Sequence, residues 1–352
     1  MILRVSSHRR LTVRLVGAAA IFCCALIAAL AEARSDDDFF RGKTMTISTF
    51  TPPGGSYDTY ARLLARYIAT YIPGHPTVVV VNQPGAGGLL ALNYAARLAP
   101  RDGTFLTLAG VGVLLQGELG GAGMYVSLRD LQWIGNFSKV DNVLATLPDS
   151  TATKIEDAIA RDIVLGSVGA GSIDAQLPAA FNSLLGTRLK VITGYPGNAQ
   201  VLLALDRGEI EGTVSSWTSL KAAMSKERSA KLHVLLQMGP TPAPDLPTVP
   251  VLGDLVKADE SKLAIADFLA STLTVSRPVA APPEVPPERV NILRRAFDST
   301  LKDASFLDDL TRTGFDIDPM TGEEVEGAIE RILSTPKDIM ASSKAAIEAP
   351  TR

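Results

Sequence analysis

Cysteine is nearly absent from this chain: two occur in 352 residues, Cys23 and Cys24, adjacent to each other inside one apolar run near the N-terminus. Histidine is almost as scarce, with three. Outside that N-terminal run no apolar stretch is long enough to cross a bilayer, and positive charge is not in surplus. Each shortage excludes something. A chain body without cysteine has no disulfide framework and no thiol chemistry. His75 and His233 stand far apart, in turn and strand contexts, with no cluster of acids around them, so neither a metal nor a cofactor is expected. A Ser-His-acid triad would have no Gly-x-Ser-x-Gly elbow to sit on. Gly110-Val111-Gly112 lacks the third glycine and the downstream acid of a dinucleotide fingerprint. No catalytic residue stands out.

The N-terminal run has its own reading. Arg4, Arg9, Arg10 and Arg14 precede it, Leu15 to Leu30 is unbroken apolar sequence, and Ala31-Glu32-Ala33 offers small residues where a signal peptidase reads. That is the pattern of a signal peptide, residues 1–33, cleaved after about Ala33. An uncleaved anchor is the alternative, for which the run is short against the ~20 residues of a comfortable span. Cys23 and Cys24 follow Ile21 and Phe22, not the small residues of a lipoprotein box. Removing the segment takes away four of the 34 Lys/Arg and one of the 37 Asp/Glu, and leaves a net charge of −6. An acidic chain with scattered charge fits nucleic acid poorly. An exported chain without disulfides fits the bacterial periplasm, as a soluble monomer. The roughly 319 residues that remain exceed what one core usually holds, so two domains are expected.

One stretch organises the rest. Met45-Thr46-Ile47-Ser48-Thr49-Phe50 alternates as a strand does, and Ala61, Leu64, Ala65, Ile68 and Ile72 repeat as a helix face does. Between them lies Thr51-Pro52-Pro53-Gly54-Gly55-Ser56-Tyr57-Asp58. A glycine loop from a strand end into a helix start leaves backbone N–H groups unpaired, with the positive end of the helix dipole behind them, and so attracts an anion. The bland alternative is an ordinary tight βα turn. The signature recurs: Thr77 to Val81 runs into Asn82-Gln83-Pro84-Gly85-Ala86-Gly87-Gly88, and Thr104 to Leu108 into Ala109-Gly110-Val111-Gly112. Three strand-loop-helix units in succession predict a parallel sheet with its ligand crevice at the carboxyl edge.

After two extended segments between Leu131 and Leu147, the logic repeats. Thr153 with Glu156 reads as a capping box. Asp162 to Gly166 reads as a strand meeting Ser167-Val168-Gly169-Ala170-Gly171-Ser172, and Leu189 to Ile192 as another meeting Thr193-Gly194-Tyr195-Pro196-Gly197-Asn198. Gly208 to Val214 leads to Ser215-Ser216-Trp217, and Pro240 to Pro250 is loop. Beyond Arg277-Pro278, Pro286-Pro287 opens a run of helices, which implies that the chain returns to pack on its first domain.

These loops, in this order, resemble the Bug/TctC family of periplasmic solute-binding receptors of tripartite tricarboxylate transporters. The match is carried by Phe40-Arg41-Gly42-Lys43-Thr44, Pro52 to Asp58, Tyr60 to Ala65, Val79 to Gly88, Pro100 to Gly103, Ser167 to Ser172 and Asp245 to Pro250. The resemblance implies an α/β two-lobed periplasmic-binding-protein (Venus flytrap) fold, each lobe a mainly parallel sheet flanked by helices. Residues 40–140 with 272–352 would form lobe I and 141–271 lobe II, with hinges near Phe137–Leu144 and Ala270–Ser276. It also implies a small carboxylate held in the cleft by backbone amides and hydroxyls, and transient docking on integral membrane transporter subunits. Pro53, Gly54, Gly55 and Ser56 are the first candidates for ligand contact. Ala86, Gly87 and Gly88 follow, then Ser167, Gly169, Gly171 and Ser172 across the cleft, with Tyr195 and Trp217 as stacking or walling residues. The chain departs from the family at Tyr195 to Asn198, where a Lys-Gly-Gly-like segment is usual, and at Ser215 and Ser216, where an Asp is usual. A pocket without that acid points away from amino acids and towards plain carboxylates. Two other classes stay open: a periplasmic hydrolase or transferase using the same loops, and a sensor feeding a signalling kinase.

Overall fold

The alternation of the first strand is realised: β1 (Thr44–Thr49) buries Met45 and Ile47 and delivers the chain to the Pro-Gly loop. The computed structural model describes residues 38–349, apart from 121, 122, 225, 240, 241 and 316, so the signal-peptide assignment of residues 1–33 lies outside the described residues. Helix α1 (Ser56–Tyr67) follows, then β2 (Thr77–Asn82), α2 (Leu89–Arg97), β3 (Phe105–Leu108), α3 (Val111–Glu118) and β4 (Gln132–Asn136). The chain then builds a second layer set: β5 (Asn142–Thr146), α4 (Ile155–Ala160), β6 (Ile163–Ser167), α5 (Ile173–Leu185), β7 (Leu189–Thr193), α6 (Asn198–Asp206), β8 (Gly212–Ser216), α7 (Trp217–Ala223), α8 (Lys226–Ser229), β9 (His233–Met238), α9 (Leu252–Val256) and α10 (Glu260–Thr272). It returns through β10 (Pro278–Ala281), α11 (Pro287–Thr300), α12 (Ala304–Arg312), β11 (Met320–Thr321) and α13 (Gly322–Leu333), and closes with α14 (Lys337–Ile347).

Two sheets result. The first has the order β11-β4-β10-β3-β1-β2, and the second β7-β6-β8-β5-β9. β2, β1 and β3 pair in parallel, while the returning β10 is antiparallel to both β3 and β4. In the second sheet β7, β6 and β8 are parallel and β5 is antiparallel to β8 and β9. Parallel strands need helical crossovers, and those helices cover both faces. Phe40, Ile47, Leu64, Phe137 and Phe297 fill one side of the first sheet, and Leu92, Val113, Trp133 and Ile329 the other. Among the described residues no helix is long and apolar enough to cross a membrane.

The structure redraws two details. Helix α4 begins at Ile155, so its third residue is Asp157 and not Glu156; the Asp157 carboxylate accepts from the Thr153 and Lys154 amides at 2.8 and 3.1 Å. The final helix α14 packs on α5 and α10, with Ile339, Met340 and Ile347 against their apolar cluster, so the last stretch of chain joins the second sheet's layers. The segments that cross between the sheets are tied to each other, by Phe137 N–H donating to the Arg277 carbonyl (3.2 Å) and Val140 N–H to that of Leu273 (3.5 Å).

Candidate functional site

The loop before α1 is shaped by an acid inside the helix. Asp58 is buried, and its carboxylate accepts from the Gly54 amide (2.9 Å), from Asn82 Nδ2 (2.8 Å) and from Arg62 Nε (2.9 Å). Burial pushes this carboxyl up, but the bonds from Arg62, Asn82 and Gly54 together outweigh it and hold it below its ordinary value. Asn82 also donates to the Thr51 carbonyl (2.7 Å), so the end of β2 is stitched to the first loop. Gly54 therefore spends its amide internally. The free donors at this helix start are those of the first turn, at Ser56 and Tyr57, which lack an intrahelical partner by geometry.

The loop before α5 uses the same device. Asp174, in the first turn, accepts from the Val168 amide (3.1 Å), from Ser167 Oγ (2.8 Å) and from Ser172 Oγ. The Gly169 amide donates to Ser172 Oγ at 3.1 Å. Here burial dominates, and the carboxyl is pushed up against the opposing bonds from Ser172, Ser167 and Val168.

The two loops face each other across one cleft of about 130 Å³. Helix starts from both sheets converge on it: Gly55 and Ser56 at α1, Gly110 and Val111 at α3, Ser172 and Ile173 at α5, Gly197 and Asn198 at α6. Each contributes unpaired N–H groups and a partial positive charge. The approach between the sheets is close. A Cβ on Gly112 would lie 2.7 Å from the Gly171 carbonyl oxygen, and one on Gly87 would lie 2.8 Å from the Ser172 nitrogen. Gln176 Nε2 donates to the Gly112 carbonyl at 3.2 Å, and Leu115 of α3 and Leu119 just beyond it share a core cluster with Leu177 and Phe181 of α5. This is a closed arrangement.

Arg277 lines the same cleft. It sits where the chain re-enters the first sheet, its backbone N–H donating to Asn136 Oδ1 (2.8 Å). Its guanidinium donates to Ser138 Oγ at 2.9 Å and, at 3.3 Å, to Ser216 and Ser219 Oγ, and lies 4.9 Å from the centre of the Tyr60 ring. The neighbouring Tyr57 hydroxyl is already committed to the Ser276 carbonyl (2.6 Å), and burial pushes it up against the lowering effect of Arg277.

Of the residues expected at the site, Gly55, Ser56, Gly87, Gly88 and Ser172 line the cleft. Pro53, Gly54 and Ala86 belong to the same loops without lining it, and Gly54 is turned to Asp58. Ser167 is fully buried and hydroxyl-bonded to Asp174, while Gly169 and Gly171 make the turn behind Ser172. Tyr195 packs over Gly166. Trp217 is buried in the cluster of Val201, Leu205 and Leu220, and its indole donates to Asp245 at 2.8 Å. The sequence reading did not single out Asn142, Asn198, Ser219 or Arg277 for the ligand, and it counted Gly110 to Gly112 among the strand-end glycine loops without naming them as ligand contacts. A signal existed for two of these: Gly110 to Gly112 is a third glycine loop at a strand end, and Arg277 is the one charge in the stretch Leu273–Ala281.

The model of the tripartite tricarboxylate transporter family receptor (TctC) matches residues 61–341. Protein BugT of Bordetella pertussis (strain Tohama I) is 26% identical over 275 residues, which are 75% of this chain and 78% of BugT. The solved structure of MatC from Rhodopseudomonas palustris with bound malate superposes with a TM-score of 0.67 at 18% identity, over 85% of this chain and 99% of MatC. That of R. palustris Rpa4515 with adipate gives 0.65 at 19% identity, over 86% and 97%.

Proposed function

The chain belongs to the tripartite tricarboxylate transporter receptor family, and we propose that it is a periplasmic receptor that captures a small carboxylate between its sheets and delivers it to an integral membrane transporter. The observation that carries this reading is the convergence of helix starts from both sheets on one cleft. Unpaired amides and dipole ends are suited to an anion and make no demand for a nucleophile or base. The similarity in fold to proteins solved with malate and adipate supports the same ligand class.

In this reading lobe I comprises residues 40–140 with the return from 272, and lobe II residues 141–271 with α14 laid over it. The crossings near Phe137–Leu144 and Ala270–Ser276 act as hinges, and ligand closes the lobes by bonding to both at once. Ser56 and the first-turn amides of α1 bind from one side, Ser172 from the other.

Thermal melting of the purified protein against mono-, di- and tricarboxylates, aromatic acids and amino acids tests it. A ligand at ~100 times its Kd adds about 2.7 kcal/mol of stability, a visible shift in Tm. Gly55→Asp and Ser172→Asp place a like charge beside the anion and abolish the shift. An unchanged affinity in both variants refutes this placement of the site, and turnover of the acid refutes the receptor reading.

A further inference from the structure

A buried positive charge is costly unless something negative meets it. Arg277 is 2% exposed, its side-chain bonds go to serine hydroxyls, and among the described residues no carboxylate pairs with it. Its Nε–H has no acceptor among the described residues. A second orphan lies on the same cleft: Asn142, also 2% exposed, has a side-chain amide nitrogen without an acceptor among the described residues. The two are neighbours through Ser216, which stands opposite Asn142 in the β5–β8 ladder and takes a bond from Arg277 Nη2. Buried polar groups are rarely left unpaired without a reason. Two unpaired donors, one of them fully charged, define the missing partner as an anionic acceptor.

We propose that Arg277 and Asn142 form the carboxylate seat of the cleft, and that the ligand is a monocarboxylate with an apolar body. This rests on the receptor reading and narrows it. The inference about the body comes from the rest of the lining. Phe50, Tyr57, Val111, Val168, Ile173 and Val214 present apolar surface there. The other ionisable acid or base side chain that joins Arg277 in the lining is an acid, Asp174, so a second ligand carboxylate meets no second cation there. Asp58 already answers the positive end of α1, and the Asp174 carboxyl occupies that of α5. The starts of α3 and α6 carry no first-turn acid, but offer only partial charges, too little to bury another full one. The cleft's 130 Å³ is close to the ~150 Å³ of an engineered cavity that admits benzene. One charge at a fork and a body of that size fit a branched or aromatic monoacid.

Titration calorimetry on the purified protein with two series of probes tests this. One series is butyrate, 3-methylbutanoate and benzoate, with benzamide as the uncharged control. The other is succinate, adipate and citrate. We expect a monoacid to bind at least about tenfold more tightly than any member of the second series, and benzamide not to bind. Arg277→Gln costs at least about a hundredfold in monoacid affinity, Arg277→Lys less, because charge remains but the planar fork is lost. Asn142→Leu, which leaves Arg277 in place, costs about tenfold and keeps the question answerable if Arg277→Gln does not fold. A di- or tricarboxylate that binds most tightly overturns the proposal and leaves the receptor standing. So does an Arg277→Gln protein that melts normally and binds the monoacid unchanged. If no acid of either series binds, both readings fall.

Discussion

Asp58 and Asp174 do the same job in the two halves of the molecule and are held in opposite ways. Each lies in the first turn of a helix and folds the preceding glycine loop back onto itself. Asp58 has a guanidinium partner, a carboxamide and an amide, and its charge is secured. Asp174 has two hydroxyls and an amide but no cation, and its proton is held more tightly than usual. One loop is therefore fixed by charge. The other is fixed by a network of rotatable hydroxyls that can reverse direction with the state of the acid. The contrast shows that a shared motif does not imply a shared electrostatic state: the environment of the acid decides what the loop can do for a ligand.

The comparison is broken most severely by Asp58→Ala. It leaves the Gly54 amide without its acceptor and takes one of two from Asn82, which keeps the Thr51 carbonyl, and from Arg62, which keeps Asn82 Oδ1; we expect a loss of about 3 kcal/mol in urea unfolding, together with ligand binding. A second substitution leaves both loops intact and stops them meeting. In Gly112→Ala the new methyl meets the Gly171 carbonyl, so the closed state is blocked. Affinity falls at least tenfold, about 1.4 kcal/mol. Small-angle scattering with ligand then shows the larger, open radius.

The mildest change sharpens the contrast instead. Asp174→Asn replaces a group whose charged form is disfavoured, and costs less stability than the same exchange at Asp58. The pH dependences have opposite signs. Asp58 has a lowered folded value, so its contribution is present above the ordinary carboxylate value of 3.8 and is lost as pH falls through the folded one. Asp174 has a raised folded value, so its contribution is full below 3.8 and is lost as pH rises through the folded one. Unfolding midpoints measured against pH accordingly lose their acid decline in Asp58→Asn and their decline above pH 3.8 in Asp174→Asn. A parallel change in both variants refutes the distinction.

Much of this was legible in the sequence, and the rest was hidden for physical reasons. The alternation of Thr44–Thr49 and the glycine loops after Thr49, Asn82, Leu108 and Ser167 are local patterns, and they gave the parallel sheets and the two facing loops. The layer that α14 covers was not legible, because an apolar stripe such as Ile339, Met340 and Ile347 states that a helix is buried and not against what. Arg277 was passed over because its importance depends on Ser138, Ser216 and Ser219, which lie 58 to 139 positions away. A lone arginine before a proline has no periodicity to betray it.

The crossings between the sheets are bonded to one another, and Arg277 emerges from that junction. In a molecule that opens and shuts about such a seam, points on the seam travel least and the helix tips at Gly87, Gly112 and Gly171 travel most. A charge seated at Arg277 is then held in nearly the same place before and after closure. Capture and inspection become separate events: the anion is caught on the axis, and the shape of its remainder is judged only when the distant tips try to meet.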